Sequence, residues 1–339
     1  MPFNIGYVFD EGFAVPATVS IYSLLYNNRH IKDICLYILD DGIAAESRKK
    51  IEKIAQDFER RITFIDVSEI KSVLSATTKF SWNGSYATYI RLMLNHIFPE
   101  MSGRLLMIDG DTIINGRIDY LASYDMKGNV LAAAHEAITY RYRIYSGLGC
   151  SQLVNGGLLL FDLDKWRSMD MDTKIIDYLQ NVRQKNMLTD EDVLSVLLKG
   201  QTAVIDAKYN FLSQYFVFNS SFYYRFFGWD KLNNNGAFYS YKDLMTARQK
   251  PVILHCIDTF TNRPWHKNNI HPYTKLFDRY LSRTPWKGYT KPERKMAFLQ
   301  TVEYTLRKYL PKQLSVFMAA CGIFLYYGIG AKMYYSKKV

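Results

Sequence analysis

The 339-residue sequence is poor in cysteine, and its four cysteines, Cys35, Cys150, Cys256 and Cys321, lie far apart with no C-x-x-C pair and no Cys/His cluster at zinc spacing. That excludes a disulfide framework and a structural zinc. The opening residues Met1-Pro2-Phe3-Asn4-Ile5-Gly6 lack a basic segment followed by a long apolar core, so no secretory signal is read there and a reducing cytoplasm is expected. Low-complexity tracts are absent, as a globular chain with an ample core requires. Acidic residues are scarce near the end. From residue 287 onward ten basic residues face two acidic ones, Glu293 and Glu303, which places +8 of the formal +11 charge in that tail. A nearly neutral body excludes a nucleic-acid enzyme with a basic cleft and points the basic tail toward an anionic surface.

What the sequence does have is a stretch suited to a buried strand, Leu105-Leu106-Met107-Ile108, that runs into Asp109-Gly110-Asp111 before apolar residues resume at Thr112-Ile113-Ile114. In an α/β sheet, ligands bind at the carboxyl ends of parallel strands, so two carboxylates one residue apart would emerge where chemistry is done. Paired hard oxygen ligands suit a divalent cation carrying phosphates. A solvated turn is the plain alternative, because Asp and Gly are common turn residues.

Apolar periodicity predicts strands at 3–9, 34–39 and 61–67 alternating with helices at 13–26, 44–58 and 86–98, with 105–108 as the fourth strand. This β-α-β series predicts a mostly parallel sheet wound with helices. Further strands are expected at 130–134, 153–161, 202–206 and 252–255, and helices at 174–185 and 191–199. The Phe- and Tyr-dense segment 211–229 reads as an aromatic subcore, with an acceptor-binding surface as the alternative. Asp190 is a candidate N-cap for the helix that follows it, with Glu191 at the positive end of its dipole.

Six stretches, in order, carry a resemblance to glycosyltransferase family 8. Asp10-Glu11-Gly12-Phe13 followed by Val19-Ser20-Ile21-Tyr22-Ser23-Leu24-Leu25 is similar to the family's D-D-N-Y and V-S-I-x-S-L-L opening. Tyr89-Ile90-Arg91-Leu92 resembles its Y-x-R-L, Asp109-Gly110-Asp111 its D-x-D, Val154-Asn155-Gly156-Gly157 its F-N-A/S-G, and Asp190-Glu191-Asp192 its D-Q-D. His255 through Arg263-Pro264-Trp265 resembles its closing H-x-x-G-x-x-K-P-W.

The resemblance implies a GT-A (Rossmann-like) nucleotide-sugar-binding fold over residues 1–275, and charge with hydropathy marks 276–339 as a basic, apolar, membrane-associating region. It implies Asp109, Asp111 and His255 as ligands of Mn²⁺, which this mixed carboxylate and imidazole set suits better than Mg²⁺. Asp10 and Phe13 would meet the nucleotide, Arg91 and Asp190 the donor sugar, and Asn155 the sugar or acceptor. Gly110 would lie between the metal carboxylates, and Arg263, in place of the usual Lys, would meet the leaving diphosphate. Asp190 and Glu191 would carry catalysis, Glu191 as a stabiliser of the cationic sugar or as a nucleophile, since it stands where Gln is usual. Gly12 and Phe13 replace the usual Asn and Tyr, and the interval from His255 to Arg263 is two residues longer than the pattern.

The implied reaction is retaining transfer of a hexose from UDP-glucose or UDP-galactose to a glycan or lipid-linked acceptor of the cell envelope. The uncharged run 314–331 would make a helix about 27 Å long, short of the ~30 Å hydrocarbon core. With its basic flanks it predicts peripheral attachment to an anionic membrane surface at the inner face of the plasma membrane, ahead of a single span or a helix packed on the body. Two other classes are open at this point. Asp109-Gly110-Asp111-Thr112 also fits the D-x-D-x-T of haloacid-dehalogenase-like phosphatases, and a non-catalytic membrane-associated binding protein would follow if the altered nucleotide motif abolished donor binding.

Overall fold

The computed structural model describes residues 2–79, 81, 85–139, 141–142, 150, 152–181, 189–258, 261–296 and 298–325. Strands β1 (Phe3–Phe9), β2 (Ile34–Asp40), β3 (Arg61–Asp66) and β4 (Arg104–Ile108) pair in parallel in the order β3-β2-β1-β4. A short strand, β5 (Thr112–Ile114), leaves that sheet, and β6 (Leu131–His135), β7 (Val154–Asp162) and β8 (Thr202–Val204) extend it to seven strands in the order β3-β2-β1-β4-β7-β6-β8. β7 runs antiparallel to both β4 and β6. The expected mostly parallel α/β sheet is thus observed, with one reversed strand inside it.

A second, three-stranded sheet joins β5 to β9 (Phe211–Leu212) and β10 (Ile253–His255) in the order β5-β10-β9. It hangs on the Ala14–Asn27 helix, whose serines explain the V-S-I-x-S pattern. The Ser20 hydroxyl lies 2.8 Å from that of Thr112, and Ser23 Oγ accepts from the Ile114 N–H at 2.9 Å. Asn27 Nδ2 donates to the Ile114 carbonyl at 2.8 Å. One polar stripe on a buried helix therefore holds the strand that follows the two aspartates, and leaving any of these buried groups unpaired would cost about 1–3 kcal/mol.

Apolar residues on one face of the seven-stranded sheet, among them Ile5, Tyr7 and Leu106, pack with Ile21, Leu24, Ile51 and Ile54 of the first two helices. Those on the other face, among them Leu105, Met107, Leu159 and Phe161, pack with Tyr89, Trp166, Ile175 and Val193. The 211–229 segment forms the expected aromatic subcore, with Tyr215, Tyr224 and Trp229 buried.

The helix expected over 86–98 is broken into Ala87–Ile90 and Leu94–Ile97. Arg91 turns inward at the break, and Asp172 Oδ2 accepts the freed amides of Asn95 and His96 at 3.1 and 3.2 Å. A remote carboxylate thus substitutes for helix continuation, which local periodicity does not reveal. Residue 275, the expected boundary, lies within the Thr274–Leu281 helix, where Tyr280 Oη accepts from Asn27 Nδ2 at 2.8 Å. Among the described residues no helix is long and apolar enough to cross a membrane. Residues 326–331 of the apolar run, and 182–185 of the helix expected at 174–185, lie outside the described residues.

Candidate active site

Asp109 and Asp111 occupy the turn between β4 and β5, at the carboxyl end of the parallel strands. The Asp109 N–H donates to the Gly157 carbonyl at 3.1 Å, and the Thr112 N–H closes the turn onto the Asp109 carbonyl at 3.2 Å. Gly110 fits a tight space, because a Cβ there would lie 3.0 Å from Ala17 Cβ and 3.3 Å from the Phe13 ring. The small sheet then supplies the third ligand. Its register sets His255 opposite Thr112, and the Cys256 N–H donates to the Asp111 carbonyl at 2.8 Å.

The potential ligand atoms of Asp109, Asp111 and His255 all lie within 4.8 Å of one another. His255 Nε2 is 3.1 Å from Asp111 Oδ1 and 3.8 Å from Asp109 Oδ2. The other ring nitrogen, Nδ1, donates to Asn210 Oδ1 at 3.0 Å. That bond fixes the tautomer whose Nε2 lone pair faces the two carboxylates, as a metal-binding histidine needs. Burial pushes His255 below the ordinary imidazole value, against the opposing pull of Asp109, so the ring is neutral and able to ligate. The donor set fits a divalent cation such as Mn²⁺.

Arg91, 4% exposed, joins this centre to the Asp190–Leu197 helix. Its guanidinium pairs with Asp109 on one side and Asp190 on the other, and donates to the Gly156 carbonyl at 2.9 Å. Gly156 allows this approach, since a Cβ there would fall 2.5 Å from Arg91 Nη2. Asp190 is not the N-cap that sequence predicts. Thr189 takes that place, its N–H donating to Asp192 Oδ2 at 2.9 Å, while the Asp190 carboxylate is drawn inward to Arg91.

Glu191 and Asn155 meet. Glu191 Oε1 accepts from the Gly156 N–H at 2.7 Å and from Asn155 Nδ2 at 3.1 Å, while its second oxygen accepts from Arg141. Burial raises the proton affinity of Glu191, but Arg141 and the Gly156 N–H outweigh it and leave this carboxyl below its usual range. Glu136, also on Arg141, is pushed up to about 7 by burial and by the neighbouring Glu191 charge. Asn155 Oδ1 accepts from Asn210 Nδ2 at 2.8 Å, linking the glutamates to the His255 support.

Arg263 lies at Asp111, donating to its carboxylate and to the Cys256 carbonyl, with its guanidinium carbon 5.4 Å from the Trp265 ring centroid. Burial and the nearby Arg294 lower it to about 10, so it stays a cation at neutral pH. Its loop is clasped by the start of the tail, where Arg294 pairs with Asp258 and the Arg294 N–H donates to Asn268 Oδ1 at 2.9 Å. Phe13 packs edge-on against Trp265, with ring centroids 5.5 Å apart. Asp10 stays apart from this cluster, exposed at the end of β1, where its Oδ1 accepts from the Phe13 N–H at 3.1 Å. Sequence reasoning did not single out Asn210, Glu136 or Arg141, which lie in no short motif.

The family model for glycosyl transferase family 8 matches residues 4–269. The chain belongs to glycosyltransferase family 8. The phosphatase reading of Asp109-Gly110-Asp111-Thr112 is thereby overturned, and the Thr112 hydroxyl is committed to the Asp109 carbonyl at 2.8 Å. This glycosyltransferase is 29% identical over 288 residues to a lipopolysaccharide 1,2-glucosyltransferase of Escherichia coli, covering 84% of this chain and 79% of that one. It is 27% identical over 296 residues to a lipopolysaccharide 1,3-galactosyltransferase of Salmonella typhimurium, with the same coverage. The crystal structure of the galactosyltransferase LgtC with donor and acceptor sugar analogs superposes with a TM-score of 0.67 at 22% identity, over 84% of this chain and 99% of that one. The fold of this family 8 glycosyltransferase is GT-A.

Proposed function

We propose that this glycosyltransferase moves a hexose, glucose or galactose, from a UDP-sugar to a glycan or lipid-linked acceptor in cell-envelope polysaccharide synthesis, with retention of anomeric configuration. The observation that carries the reading is the meeting of Asp109, Asp111 and His255 Nε2 at the end of the parallel strands. The lipopolysaccharide glucosyl- and galactosyltransferase relatives support the hexose and the envelope acceptor.

Asp109, Asp111 and His255 would hold Mn²⁺, or Mg²⁺ in its place. When bound, the ion supplies Lewis-acid stabilisation of the departing diphosphate, worth several kcal/mol. Arg263, cationic and beside Asp111, adds electrostatic stabilisation to the same leaving group. Asp10 and Phe13 would meet the nucleotide, and Arg91 with Asp190 would order the wall that faces the donor sugar.

Glu191 opposes the positive charge that develops on the sugar. Three donors occupy its two oxygens, which lowers its basicity and favours electrostatic stabilisation over nucleophilic attack. Incubating the purified protein with a panel of nucleotide sugars and Mn²⁺ is expected to release UDP from UDP-glucose or UDP-galactose, and to lose that activity with chelator. A non-catalytic binding protein would release none.

We further propose that the protein works in the cytoplasm, attached to the anionic inner face of the plasma membrane through its tail. Leu314, Phe317, Met318, Phe324 and Leu325 are exposed on and beside the Lys312–Ile323 helix, and the tail carries +8. Each basic residue near anionic lipid contributes roughly 1 kcal/mol. Deleting residues 287–339 is expected to move the protein from the membrane to the soluble fraction, and an unchanged membrane fraction would refute the attachment.

A further inference from the structure

Arg141 is 6% exposed and meets four acceptors. Nη1 donates to Glu136 Oε2 at 2.9 Å and to the Glu191 carboxylate, and Nη2 donates to Thr189 Oγ1 at 2.9 Å and to the Asp192 carboxylate. Three of these partners, Thr189, Glu191 and Asp192, belong to the cap and first turn of the Asp190–Leu197 helix. Glu136 follows β6 directly, and Glu191 reaches across to the Gly156 N–H of β7. One buried guanidinium therefore ties a helix start to β7 and the end of β6, at the carboxylate that would border the donor sugar. A merely structural clamp would need only Thr189 and Asp192. The added engagement of Glu136 and Glu191 puts the charge balance of the pocket on this residue.

We propose that Arg141 is a positioning residue for catalysis: it holds Glu191 as a fixed carboxylate against β7 and is the counter-ion without which that charge does not persist in a buried site. This rests on the glycosyltransferase reading of the site. The groups facing Glu191 bear out the need. On its own helix stand Asp190 and Asp192, from the end of β6 comes Glu136, and from the metal centre Asp109, all acidic. The opposing cations are Arg141 and Arg91, with His255 neutral. Arg91 is shared between Asp109 and Asp190, which leaves Arg141 to balance Glu136, Glu191 and Asp192. Removing it leaves the buried Glu136 and Asp192 and the part-buried Glu191 without that counter-ion, a charge excess that proton uptake relieves.

The test uses the full chain with Arg141→Lys and Arg141→Met, assayed by UDP release with Mn²⁺ across pH. For Arg141→Met, kcat is expected to fall by about 100-fold with the donor KM changed less than about threefold, and the acid limb of the kcat profile to move up by about one pH unit or more. Arg141→Lys, keeping charge but not the fork, is expected to restore the pH profile and only part of kcat. A loss of kcat in Arg141→Met with an unshifted pH profile overturns the proposal, as does activity equal to wild type.

A second readout does not depend on turnover. In Arg141→Met, Glu191 takes a raised folded-state proton affinity, so stability is fully present below the unfolded value and is lost as pH rises. Its melting temperature is expected to drop between about pH 5 and about pH 8 more than that of wild type, and adding Glu191→Gln is expected to remove the Glu191 share of the excess. An excess that Glu191→Gln leaves unchanged, or none at all, overturns the charge-holding role. Should wild type release UDP from no nucleotide sugar, the functional reading fails while this melting comparison still decides the role of Arg141.

Discussion

Asn210 has no charge and no place in a motif, yet the candidate metal site depends on it. Its Oδ1 accepts from His255 Nδ1 at 3.0 Å, and its Nδ2 donates to Asn155 Oδ1 at 2.8 Å, so it both sets the imidazole tautomer and ties it to the residue beside Glu191. Outer-shell partners of this kind are worth 10–100-fold in metal affinity. Asn210→Ala is therefore expected to weaken Mn²⁺ binding by about 10–100-fold, read by titration calorimetry or by the EPR signal of free Mn²⁺. The ligands themselves were legible in sequence because each sits in a short pattern, D-x-D or H…P-W. Asn210 and Arg141 were not, because His255 and Glu191, the site residues they support, lie 45 and 50 residues away from them and no short motif marks them.

At the scale of the element, β7 is the strand on which the site is assembled. Its Asn155-Gly156-Gly157 run accounts for the close approach of three other segments. A Cβ at Gly157 would lie 2.2 Å from His255 Nδ1 and 2.9 Å from Asn210 Oδ1, inside any real contact distance. Gly157→Ala is expected to push the imidazole off its line to Asp111. Mn²⁺ affinity and kcat should fall by at least about tenfold, while circular dichroism keeps the α/β signature.

Paired glycines inside a strand suit a bulge or a close backbone approach. The register of β6 and β7 does shift between Ala133 and Ala134, opposite this run, so both features are present. The Ala14–Asn27 helix shows the converse. Its serines looked like a family signature, and their work is to hold β5, which is a packing role that only the second sheet makes visible.

For the whole molecule, burial of neutral histidines links stability to pH. His135 is lowered to about 4 and His271 to about 3, both chiefly by burial. Because their folded values lie below the unfolded value of about 6.5, the unfolded chain binds more protons as pH falls. The contribution of these two histidines is full above about pH 6.5 and is lost as pH drops toward 4, with His135 alone contributing up to about 3 kcal/mol. Urea unfolding at descending pH is expected to show this loss, and His135→Phe to flatten part of it.

Sequence alone determined the wound α/β order, the family, the candidate metal carboxylates and the basic tail, because strand periodicity, short motifs and charge are properties of neighbouring residues. It also misread the 86–98 helix and the cap at Asp190, where a distant Asp172 and a distant Arg91 override local preference. Only the tertiary structure decided which nitrogen of His255 faces the carboxylates, and that Arg141 stands behind Glu191. The physical reason is that a tautomer and a buried counter-ion are set by partners across the fold, which the chain brings together only when β5, β7, β9 and β10 are in place.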